Sequence, residues 1–154
     1  MTNTTSKDQL NSELLHRLQR LENHQNIQAV VTDYLIAVDD LNDVEAVLDC
    51  FTEDAVFDMS GINYPTLTGK PALRDFFSNV FDSMTHHAHY ATNFKLDSVT
   101  DNTAKCRTHV IGMGKTKQGE DVLFYLQYHL DMQYEDGRWR MSRFKGMALM
   151  PLEG

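Results

Sequence analysis

Two groups of residues carry types and spacings from which proton-transfer or metal chemistry could be built. They are the acidic pair Asp39-Asp40 and the histidines of His86-His87-Ala88-His89. Acids that end a helix meet the negative pole of its dipole and gain no stability there. The run Tyr34-Leu-Ile-Ala-Val-Asp39 sets Asp39 one turn after Leu35, so its carboxylate can project from an apolar segment toward whatever the helix packs on, where it needs a partner. Imidazole is the natural general base near neutral pH, and a carboxylate on its second ring nitrogen selects the tautomer and raises its basicity. Asp39 and one of these histidines could form such a pair. The bland readings are a solvated helix end and structural histidines. Zinc needs three or four converging donors, and strand alternation places only His87 and His89 on one face, so no metal is expected. No Gly-rich phosphate loop, GxSxG turn or activated cysteine competes.

The elements that must position these residues fall into two halves, helical periods first and alternation from about residue 85. Ser6-Lys-Asp-Gln9 fits a capping box, and Leu10, Leu14, Leu18 and Leu21 recur at helical steps, predicting a helix over about 7–23. A second helix, about 25–39, carries Ile27, Val30, Val31, Tyr34 and Val38 on one side. Asn42 with Glu45 could cap a short third helix to about Cys50 that packs Val44, Val47, Leu48 and Phe51. Gly69-Lys-Pro71 opens a fourth, with Leu73, Phe76, Phe77, Val80, Phe81 and Met84 as its apolar stripe. Short strands are predicted at 55–59 and 64–68, and long ones at about 87–99, 103–116, 121–135 and 138–149. The turns Asp101-Asn102, Lys117-Gln-Gly119 and Asp136-Gly137 join the long strands into an antiparallel meander. The third long strand alternates Val122, Phe124, Leu126, Tyr128, Leu130 and Met132 against a half-polar second face, which suggests partial cover. The sum is an α+β layer of helices on one face of a curved sheet.

Composition bounds the function classes. With 154 residues, 42% hydrophobic and 23% charged, one domain with a real core is the expected size. A net charge of −8 and the lack of a dense basic run argue against a nucleic-acid partner. No apolar run approaches the length of a membrane span, and the polar first ten residues do not read as a signal peptide, so a cytoplasmic location is expected. Cys50 and Cys106 have no ligand spacing and read as reduced, buried small hydrophobes.

Taken together, Tyr34 to Asp39 ending a helix, Gly69-Lys-Pro-Ala-Leu, His89-Tyr-Ala-Thr-Asn93-Phe and Asp136-Gly-Arg-Trp139-Arg-Met-Ser-Arg143 resemble the SnoaL-like branch of the NTF2-like superfamily. Within that branch the spacing is similar to that of hexachlorocyclohexane dehydrochlorinases and, more distantly, of scytalone dehydratases and bile-acid dehydratases. The resemblance implies a cystatin/NTF2-like cone, a single domain over 1–154 with 1–24 as an N-terminal extension helix, and an Asp-His dyad that works without a cofactor. By position Asp39 and His89 are the dyad, and His86 and His87 become bystanders or cavity rim. Tyr34 stands where the dehydrochlorinases carry lysine and the bile-acid dehydratases tyrosine. This points toward dehydration, although Tyr34 also sits on the apolar stripe and reads equally as a core residue. Arg143 is offset by one from the dehydrochlorinase arginine, where this chain has Phe144, but shares strand parity with Trp139 and Met141. His87, Phe57, Tyr128 and Arg143 are the expected substrate contacts. His89 and Phe94 have opposite parity, so a bulge is predicted between them if both face inward. The implied function is a lyase, dehydratase-like, acting on a small apolar cyclic or polycyclic molecule. An isomerase or polyketide cyclase with the same dyad, and a non-catalytic binding or scaffolding module, are the alternatives. A homodimer or homotrimer is expected.

Overall fold

A computed structural model describes residues 2–152. The chain runs α1 (Thr2–Asp40), α2 (Val44–Leu48), β1 (Phe51–Gly61), β2 (Thr66–Thr68), α3 (Lys70–Ser83), β3 (Met84–Val99), β4 (Thr103–Thr116), β5 (Asp121–Glu135) and β6 (Arg138–Ala148). β3 to β6 form the meander that the alternation and turns predict, and β1 joins β6 in parallel, giving the sheet order β2-β1-β6-β5-β4-β3. The helices pack on one face of this curved sheet, an α+β cone. Between them lies a core that includes Ile27, Leu48, Phe51, Leu73, Leu130, Met141 and Phe144, each at most 1% exposed. Cys50 and Cys106 are buried and unpaired, and burial pushes both thiols up to about 12.

The two N-terminal helices predicted from sequence are one. α1 runs unbroken for 39 residues, with Ser6 inside it rather than capping it. Asn23-His-Gln-Asn26 contains neither Gly nor Pro, so nothing breaks the hydrogen-bond ladder there. What changes near residue 24 is the phase of the apolar pattern: the leucines up to Leu21 are exposed, and the buried stripe begins at Ile27 on another side of the helix. A phase slip without a breaker marks a change of packing partner. The helix stops at Leu41, which takes a left-handed φ of 52°. Asp43, not Asn42, then caps α2, accepting from Glu45 N–H at 3.0 Å and Ala46 N–H at 3.3 Å, because the cap must immediately precede the first helical residue. Phe51 opens β1, which is longer than predicted, instead of packing from a helix.

Two bulges decide what faces inward. In β3 the register with β4 shifts between Thr92 and Lys95, and Asn93 sits at φ 55°. The extra residue lets His87 and His89 share the inner face with the later Leu96, as the parity conflict required. In β6 the register shifts between Met132↔Met141 and Asp131↔Arg143, leaving Ser142 as the extra residue. Trp139 and Met141 therefore face the core together with Phe144, and Arg143 does not.

Candidate active site

Asp39 leaves the last turn of α1 and reaches across to β3. One carboxylate oxygen accepts His89 Nδ1–H at 2.5 Å, and the other accepts the His89 main-chain N–H at 2.9 Å. One aspartate thus holds both the ring and the backbone of His89, and these donors offset the poor placement of a carboxylate at a helix C-terminus. With its proton held at Nδ1, the neutral imidazole keeps Nε2 as an acceptor, on a ring that lines the cavity.

His87 lies two residues earlier on the same face, its ring edge-on to His89 at 5.5 Å. Its Nδ1 lies 3.2 Å from the Val38 carbonyl, which can only accept, so His87 too carries its proton on Nδ1. Burial holds its pKa below the ordinary histidine value, partly opposed by the Val38 bond. A histidine with a lowered native pKa resists a proton that the unfolded chain accepts, so it costs stability as pH falls through about 6.5 toward its folded value. His87→Gln is expected to flatten the fall in Tm across that window; an unchanged slope counts against this role. His86 is exposed and contacts Thr85 Oγ1, a bystander to the cavity.

The histidines open onto a cavity of about 300 Å³ whose walls include Tyr34, Phe57, Phe76, Phe77 and Tyr128. Burial raises the Tyr34 and Tyr128 pKa values, keeping both phenols protonated as hydrogen-bond donors. Tyr34 unites its two sequence readings: its ring packs edge-on against Phe51 and Phe77, and it also lines the cavity. Phe57 stacks on Phe144 at 4.8 Å. Arg143 is away from this space. The β6 bulge turns it to the other face, where its Nη2 pairs with Asp58 Oδ2 at 3.2 Å and the side chain is 46% exposed. Parity with Trp139 and Met141 would turn Arg143 inward only in a regular strand, and the extra Ser142 interrupts this one.

Strand parity also undercounted the converging donors. Asp39, His87 and His89 each offer a ligand atom within 4.8 Å of the other two, Asp39 arriving from the helix. In this arrangement, however, both Asp39 oxygens are taken by His89, and His87 Nδ1 by Val38.

Gly112 and Gly114 on β4 carry no chemistry of their own and do not stand out in the sequence, yet they belong to the site. They pair with His89 and His87 respectively, and the imidazoles lie over them. A Cβ at Gly112 would stand 3.1 Å from His89 Nε2 and Cδ2, and one at Gly114 would stand 2.9 Å from His87 Cδ2 and also strike Met84. The signal that could have found them is a Gly-x-Gly opposite a His-x-His. Since Asp39 grips the far edge of His89, the ring has little room to yield. Gly112→Ala is expected to lower kcat about tenfold with Tm nearly unchanged, and wild-type kcat in this variant counts against a tightly seated ring.

Residues 19–145 match the SnoaL-like domain, and the chain belongs to that family, within the NTF2-like superfamily. A candidate aromatic ring hydroxylase of Novosphingobium aromaticivorans superposes with a TM-score of 0.84 at 43% identity, over 87% of this chain and 94% of its own. The hexachlorocyclohexane dehydrochlorinase LinA-type3 of Novosphingobium barchaimii gives 0.74 at 26%, over 90% and 95%. A candidate scytalone dehydratase of N. aromaticivorans gives 0.78 at 22%, over 85% and 87%, which speaks for the fold alone. No curated protein matches the sequence at a significant level. Among the described residues, no helix is long and apolar enough to cross a membrane.

Proposed function

We propose that the chain is a cofactor-independent lyase of the dehydratase kind, acting on a small, mostly apolar cyclic molecule. The observation that carries this reading is the Asp39-His89 pair at 2.5 Å, set in a cavity walled by aromatic side chains. His89 Nε2 takes a proton from the carbon beside a carbonyl, and Asp39 stabilises the imidazolium that forms. The electron pair left on carbon makes a double bond as a hydroxyl leaves the next carbon, and the imidazolium returns its proton so that water departs. Tyr34 donates a hydrogen bond to the developing oxyanion, in an environment from which the aromatic walls exclude water. His87, Phe57 and Tyr128 contact the substrate. A volume near the lower end of the roughly 300–1,000 Å³ usual for ligand sites favours one or two rings over a larger polycycle.

The test is a panel of one- and two-ring β-hydroxy ketones, followed by enone absorbance and product mass. Loss of water from at least one member is expected. A product of unchanged mass would transfer the same dyad to an isomerase, and ligand binding with no conversion would favour the non-catalytic module. We further propose a homodimer or homotrimer built on the outer sheet face, where Tyr90, Leu123 and Tyr125 are 63%, 52% and 43% exposed.

A further inference from the structure

Leu21, Arg17 and Arg20 border a groove against Leu96 and Val99 of β3, but among the described residues the rest of the apolar stripe on the first half of α1 is uncovered. Leu10, Leu14, Leu15, Leu18 and Leu21 are 56%, 45%, 67%, 54% and 68% exposed. Most of this segment precedes residue 19, where the family match begins, so the shared fold does not account for it. At about 100° per residue, Leu14 and the buried Tyr34 lie roughly half a turn apart around the helix, so the stripe centred on Leu14 and Leu18 turns away from the core that Tyr34 joins, with its Arg17 flank beside β3. Exposed Ile36 falls on the stripe's side.

We infer that residues 8–24 pair with the same segment of a second copy as a short, parallel, in-register coiled coil. Heptad spacing puts Asn11 and Leu18 at a, Leu14 and Leu21 at d, Leu10 and Arg17 at g, and Leu15 and Glu22 at e. The flanking charges choose the orientation. A parallel pair brings opposite flanks together, setting Arg17 against Glu22 of the second copy and Leu10 against its Leu15. An antiparallel pair brings each flank against itself, setting Arg17 against Arg17 and Asp8 against Glu22. Asn11 at an a position also favours a parallel two-stranded register. The segment is short for an isolated helix, but it continues a helix anchored by Ile27 to Val38, so its nucleation cost is already met.

Leu14→Cys in the full chain tests this under mild oxidation, against Ser12→Cys on the far side of the helix. Cys50 and Cys106 are buried and give little background. In a parallel register the introduced thiols at position 14 face each other, and a disulfide-linked dimer is expected at least about tenfold faster than for the position 12 variant. On the Leu14→Cys background, Arg17→Glu and Glu22→Arg should each slow cross-linking, and the two together should restore it. Equal rates for the two thiol positions, or faster cross-linking with Glu22→Arg alone, overturn the inference. An assembly through the sheet face alone gives the first of those results.

Discussion

Asp39→Asn is expected to lower turnover by on the order of 10²–10⁴ while leaving the fold intact. Asparagine has the shape of aspartate, and its carbonyl can keep the bond to the His89 main-chain N–H. Its NH₂ group then faces Nδ1, where only an acceptor is welcome, so the ring proton moves to Nε2. That tautomer points a donor at the substrate where a base is needed, and the charge that stabilised the imidazolium is gone as well. The loss therefore resides in kcat, while substrate affinity and Tm stay close to wild type. Steady-state kinetics beside a thermal melt check this, and a variant retaining more than about a tenth of wild-type kcat would sink the proton-transfer mechanism.

His89→Ala carries the larger loss, near the upper end of the same range, because it removes the base itself. The truncation opens a slot above Gly112 against which the ring had rested. Free imidazole should enter this slot and restore part of the rate, with a dependence on pH that follows the added base. Adding Asp39→Asn to His89→Ala is expected to cost almost nothing more, since the aspartate acts only through the ring it holds. Independent, multiplying losses would show that Asp39 and His89 do not work as a unit, and failure of imidazole to rescue a folded variant would point away from a base at this position.

Much of the molecule was legible in residue order. The meander followed from alternation broken by Asp-Asn, Gln-Gly and Asp-Gly turns, and α3 from a proline in its first turn and a full apolar stripe. Even the bulge near Asn93 could be foreseen, because two inward demands of opposite parity cannot share one regular strand. At Arg143 parity misleads, since nothing local announces that Ser142 is the residue without a partner. The break expected near residue 24 failed for a related reason: periodicity reports which face finds apolar company, and that face can change while the helix continues.

For the site, residue types and local periods by themselves determined that Asp39 ends a helix and His89 sits on a strand, because those signals act within a few residues along the chain. Only the tertiary structure decided that the two meet at 2.5 Å, that Val38 sets the His87 tautomer, that glycines 112 and 114 make room for the rings, and that Arg143 looks away from them. Each of these depends on how α1 crosses β3 or on a strand register many residues distant. Such relations are settled by packing of the whole core, and no local pattern encodes them.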